Sequence, residues 1–143
     1  MQFLLLIFNM LENSMKPLYQ TTATASAGRN GQVSTDDGKL SVMLSYPKEM
    51  GGSGEATNPE QLFAAGYSAC FSNAVLHVAR EVKAAVTTAP VTATVGIGAR
   101  EEGGFALTVA LSVELDLPQE QAIELVKSAH QVCPYSNLSL IHI

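Results

Sequence analysis

The sequence predicts an α+β fold in which helices pack on an antiparallel sheet, and three features predict it. Strand-like alternation broken by two Gly-containing turns fills the first third of the chain. A long apolar segment behind an Asn-Pro-Glu-Gln helix start fills the middle. A second hairpin pattern and a shorter helix follow, so the predicted order is β-β-β-α-β-β-α.

From Leu18 to Ala27, Thr alternates with Ala or Ser, a β-type pattern without bulky apolar residues. Gly28-Arg29-Asn30-Gly31 reads as a turn, because Asn-Gly favours the positive φ angles of tight hairpins. Asp36-Asp37-Gly38 is a second turn, leading to a strand from Leu40 to Leu44, and Met50 to Gly54 reads as a flexible loop. Asn58 can cap a helix, Pro59 suits its first position, and Gln61 sits three residues after the cap. That helix should run to about Val82, with Leu62, Phe63, Ala65, Ala69, Cys70, Val75, Leu76 and Ala79 available for burial. Small residues in its first half (Ala64, Ala65, Gly66, Ser68, Ala69) permit close approach by another backbone, such as a second helix. Val91 to Ala99 and Phe105 to Leu115 form the second hairpin around Glu101-Glu102-Gly103-Gly104. Pro118 opens the last helix, which must end near Val132 because Pro134 disfavours helical geometry at Cys133.

The chain of 143 residues is one domain's worth. Apolar residues make up 47% and charged residues 15%, a balance that predicts apolar surface to hide, usually at a subunit interface. The net charge of −5 and the lack of a Lys/Arg cluster point away from nucleic acid. Phe3 to Phe8 is apolar but too short to span a bilayer, and no basic region or small-residue cleavage site marks it as a secretory signal. Met15 reads as the natural beginning, which makes residues 1–14 an expected mis-annotated extension from an upstream start; a membrane-contacting appendage is the alternative.

Two cysteines are too few for a secreted disulfide scaffold, so the expected compartment is the cytoplasm, where a Cys pair is catalytic, redox-sensing or unpaired. Cys70 lies about three turns into the long helix, where a lone Cys is usually a small buried hydrophobe. Cys133 falls just past a helix end, where the chain is free of helical hydrogen bonds, and a fixed thiol with a mobile one is what reversible disulfide chemistry needs. His130-x-x-Cys133 and His77 lack the short double spacing of zinc sites. Gly51-Gly52-Ser53-Gly54 lacks the Lys-Ser/Thr ending of a phosphate loop.

Two longer motifs carry a family resemblance. Asn58-Pro59-Glu60-Gln61-Leu62-Phe63-Ala64-Ala65-Gly66-Tyr67-Ser68-Ala69-Cys70-Phe71 and Val132-Cys133-Pro134-Tyr135-Ser136-Asn137 resemble the OsmC/Ohr family, specifically its organic hydroperoxide resistance (Ohr) branch. Lys16-Pro17-Leu18-Tyr19, the Gly28-Arg29 turn and Pro47 to Gly52 agree, so the resemblance covers residues 15–137. It implies an OsmC-like fold, with a long central helix, built as an intertwined homodimer with active sites at its interface. It also implies a peroxidase in which Cys70 becomes a sulfenic acid and Cys133 resolves it as a disulfide. Dihydrolipoyl groups on lipoylated proteins would re-reduce that disulfide, with no metal or bound organic cofactor.

A thiol among Phe63, Tyr67 and Phe71, the expected substrate-binding aromatics, would have a raised pKa and needs a cation to oppose that. The resemblance assigns this role to Arg29 and pairs it with Glu60. A full charge about 4 Å away contributes on the order of 4 kcal/mol at an effective dielectric near 20, roughly three pKa units. Without the resemblance, Arg29 reads as a solvated turn residue and Glu60 as an acid favoured by the helix dipole. Glu60 and Cys70 are ten residues apart, about 15 Å along a helix and on different faces. An Arg29 touching both must span that gap or meet a Glu60 from the other subunit.

Residues 138–143 depart from the family, whose chains continue into a turn and a last apolar strand. They are expected to be a truncated or foreign tail that leaves a sheet edge open. The alternative readings are an OsmC-type peroxidase and a non-catalytic truncated paralogue or thiol redox sensor.

Overall fold

The computed structural model describes residues 15–140. The first three strands, β1 (Ala23–Ala25), β2 (Gln32–Thr35) and β3 (Ser41–Met43), form an antiparallel meander in the order β1-β2-β3. Of the ten-residue stretch predicted as the first strand, only three residues pair, Ala23 with Thr35 through Ala25 with Val33. Ala and Thr there offer little to bury. A single 3-10 turn, Gly28–Asn30, joins β1 to β2, and Gly28 takes a φ of +59° there, a conformation that favours glycine.

The loop expected from Met50 to Gly54 is partly ordered by a second 3-10 turn, Lys48–Met50, closed by Gly51 in the left-handed region. Helix α1 (Pro59–Glu81) follows, starting where the Asn-Pro signal placed it. The Asn58 side chain accepts a 2.9 Å hydrogen bond from the Gln61 N–H, and the Gln61 side chain turns instead to the Thr57 hydroxyl. Strands β4 (Val91–Ala99) and β5 (Phe105–Val113) pair antiparallel in a separate two-stranded sheet. The single sheet of the sequence reading is therefore two small sheets within the described residues, with α1 between them in the chain.

Helix α2 (Gln119–Val132) ends one residue before Cys133, as Pro134 requires. The chain does not stay open afterwards, because Pro134 also begins α3 (Pro134–Leu140). A proline that terminates one helix is at ease in the first turn of the next, where its missing N–H has no partner to lose. This third helix is absent from the predicted order. The family strand expected after it, and the apolar segment Phe3 to Phe8, lie outside what the described residues can address.

The core sits between α1, α2 and the β4–β5 hairpin. Tyr67, Phe71, Ala74, Val75, Val78 and Ala79 of α1 pack with Leu125 and Ala129 of α2, Ala89 and Cys133. Val91, Leu111 and Val113 close it from the hairpin side. Ala65 and Ala69, expected among the buried residues, are exposed instead. By length and composition α1 is apolar enough to cross a membrane, but in this fold one face of it packs against α2, α3 and the β4–β5 hairpin while the rest of it is left uncovered within the chain.

Candidate active site

Three turns of α1 carry Cys70 from the Pro59 start to the side facing the α2–α3 junction. Its side chain is partly exposed, while Cys133 is wholly buried. Cys133 takes extended backbone angles between the two helices, yet both of its backbone groups are held. Its N–H donates to the Ala129 carbonyl at 2.9 Å, and its carbonyl accepts from the Asn137 N–H at 3.0 Å. The expectation of an untethered chain at Cys133 is thus corrected: α3 anchors it from the far side. The two sulfurs lie 3.7 Å apart, both as free thiols, with Cys133 Sγ donating toward Cys70 Sγ. A disulfide needs them to close to about 2.05 Å.

Burial pushes the Cys70 pKa up, because the thiolate loses water. A hydrogen bond from the Tyr135 backbone N–H pulls it down, and the nearby Cys133 sulfur raises it again. The net direction is upward.

The aromatic residues predicted around the thiol are there, but two of them are core. Tyr67 and Phe71 are buried and Phe63 is half-buried. Phe63 and Tyr67 meet edge to face at 5.7 Å, and Tyr67 and Phe71 do so at 6.5 Å. Tyr135 joins the cluster, 5.7 Å from Tyr67 and 6.2 Å from Phe63 between ring centres. Two further contacts escaped the sequence reading. The Tyr67 and Ser136 hydroxyls share a buried 2.8 Å hydrogen bond. A Cβ on Gly66 would stand 2.9 Å from the Tyr135 hydroxyl, so glycine admits that ring. The available signal was spacing: Tyr67 precedes Cys70 by three residues, and Ser136 follows Cys133 by three.

Arg29 and Glu60 meet in one chain through two parallel 2.6 Å hydrogen bonds. The pair is largely shielded, and each partner favours the other's charge. Hydrogen bonding to Arg29 lowers the Glu60 pKa more than burial raises it, and Glu60 raises that of Arg29. Arg29 therefore sits against the first turn of α1, at Glu60, which precedes Cys70 on that helix by about 15 Å of axial rise. Within one chain the cation and the thiol are not brought together, and it is the chain's own Glu60 that Arg29 meets. Glu60 also lines an open cleft of about 620 Å³ with Met50, Gln61, Ala64, Val95 and Ile97. A smaller cleft of about 410 Å³ between the C-terminal end of α1 and α2 lies away from both thiols. Among the described residues, no three His, Cys, Asp or Glu side chains cluster to hold a metal ion.

A close pair of free thiols, one on a central helix and one at a helix junction of an α+β fold, defines the class as a dithiol protein. The chain belongs to the OsmC-like protein family, whose model matches residues 52–140, and its relatives place it in the organic hydroperoxide resistance branch. It is 45% identical over 125 residues to the organic hydroperoxide resistance protein of Xanthomonas axonopodis pv. citri, covering 85% of this chain and 87% of that one. A Vibrio cholerae O1 structure, described as an organic hydroperoxide resistance protein with captopril bound in one of its active sites, matches with a TM-score of 0.84. Its identity is 70%, over 87% of this chain and 86% of that one. The Bacillus subtilis OhrB crystal structure matches with a TM-score of 0.78 and 41% identity, over 86% of this chain and 92% of that one.

Proposed function

We propose that the protein is a thiol peroxidase that reduces organic hydroperoxides, fatty-acid hydroperoxides among them, to alcohols. The observation that carries this reading is the 3.7 Å separation of two free sulfurs in a chain of this family. Cys70, the more accessible, attacks as thiolate an oxygen of the hydroperoxide. The O–O bond breaks, sulfur keeps the hydroxyl as a sulfenic acid, and the departing alkoxide takes a proton to become the alcohol. Cys133 then attacks the Cys70 sulfur, the hydroxyl leaves as water, and the disulfide closes. A dihydrolipoyl dithiol on a lipoylated protein reopens it by two thiol exchanges, ending as a cyclic disulfide. No metal or bound organic cofactor takes part, and the reducing cytoplasm is the compartment in which the thiols are regenerated. The captopril bound in one of the active sites of the Vibrio cholerae relative is an organic thiol, which supports a site open to organic thiols.

The working form is a homodimer, and three features support it. The apolar face of the β4–β5 hairpin runs past the core: Phe105, Leu107 and Val109 are 68%, 45% and 40% exposed. Ala65 and Ala69 leave a narrow, uncovered side of α1 where a second helix fits. Among the described residues no cation figures in what shifts the thiol, whereas Glu60 of the intrachain Arg29–Glu60 pair lines a cleft. In the dimer, that pair of one protomer stands against Cys70 of the other, and the cleft's apolar side takes the alkyl tail. The test is peroxide consumption with dihydrolipoamide, comparing cumene hydroperoxide with hydrogen peroxide, for the wild type and Cys70→Ser. Fast loss of the organic peroxide that disappears in the variant is expected; no turnover by a folded dimer overturns the reading.

A further inference from the structure

The segment after Cys133 lies against α1 in a regular way. Cys133 faces Cys70, and three residues further on in the opposite direction along α1 Ser136 faces Tyr67. The two pairs are rungs of one antiparallel ladder between α1 and the start of α3, with the Tyr135 ring laid over Gly66 beside them. Seven residues are too few for a helix to hold its own position in water. Where α3 sits, and with it the Cys133 sulfur, therefore depends on what fastens it to α1. The Tyr67–Ser136 bond is buried, so neither hydroxyl can exchange its partner cheaply for water.

We propose that Tyr67 and Ser136 are positioning residues for disulfide formation, their hydrogen bond holding Cys133 within reach of Cys70. This rests on the peroxidase reading for its consequence in turnover. Once Cys70 is a sulfenic acid, two reactions compete for it. Attack by Cys133 gives the disulfide and water; attack on a second hydroperoxide gives the sulfinic acid and an alcohol, and ends the cycle. A fastened rung favours the first, so Tyr67 and Ser136 set how much peroxide the enzyme survives.

The experiment has two arms on the full chain. The first equilibrates the wild type, Tyr67→Phe, Ser136→Ala and the double variant with reduced and oxidised dithiothreitol, and measures the fraction of Cys70–Cys133 disulfide. Each single variant should lower the disulfide equilibrium constant about three- to tenfold, the range of one buried hydrogen bond. The double variant should lose no more than the larger single loss, because both remove the same bond. The second arm titrates cumene hydroperoxide and reads disulfide against sulfinic acid by intact mass. The partition should move toward sulfinic acid by a similar factor, and Gly66→Ala, which displaces the Tyr135 ring, should move it in the same direction. Unchanged equilibrium constants, or fully additive losses, overturn the inference. A shifted equilibrium in a protein whose Cys70 does not react with peroxide overturns the peroxidase reading instead and leaves the positioning role standing.

Discussion

Residues 23–43 form three strands without one buried side chain, whereas the hydrophobic core is drawn from residues between Tyr67 and Cys133. The first region is held by strand pairing, the Arg29–Glu60 bonds and a parallel bridge between Leu44 and Thr57. The second is held by interlocked side chains with little room to shift. The chemistry is divided the same way. Forming a disulfide requires two sulfurs placed to within a fraction of an ångström, and both come from the packed region. In the proposed dimer the thiolate is supported by Arg29 of the looser region, which Coulomb energy permits because it falls only as the inverse of distance.

The sharpest way to break this comparison is to remove one side chain from each region. Phe71→Ala should cost about 3–5 kcal/mol in urea unfolding, because its ring is buried on all sides. Val33→Ala in β2 should cost less than about 1 kcal/mol. A large loss at Val33 that grows with protein concentration would mean that a partner subunit covers the N-terminal sheet.

A smaller effect is expected from taking away the charge alone. Arg29→Met should lower peroxide turnover at neutral pH by about a hundredfold, with a modest change in stability, by letting the Cys70 pKa rise. The thiolate absorbance of Cys70 should then titrate at higher pH, and activity should recover as the solution is made alkaline. An unmoved titration in the dimer would separate Arg29 from the thiol.

The mildest prediction concerns acid. Arg29 holds the Glu60 carboxyl below its ordinary pKa, so the folded protein binds that proton less readily than the unfolded chain. The pair's contribution is fully present above about pH 5 and is lost as the pH falls through the folded value. Glu60→Gln should be less stable than the wild type by under about 1 kcal/mol near neutrality, and the two unfolding curves should converge in acid.

Legibility in the sequence followed how local each cause was. The α1 start was readable because Asn58, Pro59 and Gln61 act within one turn. Strands β4 and β5 were readable because their alternation spans nine residues each. Helix α3 was not, since Pro134 served as a stop signal for α2 and its second use as a first-turn residue leaves no separate mark. The thiols and their aromatic neighbours could be named, but not that Tyr67 and Phe71 would be core. The Arg29–Glu60 pair joins residues 31 apart, and only the fold decides whose Glu60 an arginine meets.

The 63-residue separation of the two cysteines has a thermal consequence. Closing the bond turns an open chain into one with a covalent ring from the middle of α1 to the start of α3. A ring of that size removes roughly 4 kcal/mol of freedom from the unfolded chain. On the proposed cycle each turnover alternates the molecule between two polymers of different topology, and the oxidised one should melt several degrees higher. A melting curve recorded during peroxide exposure then becomes a clock for that proposed cycle, needing neither substrate analogue nor dye.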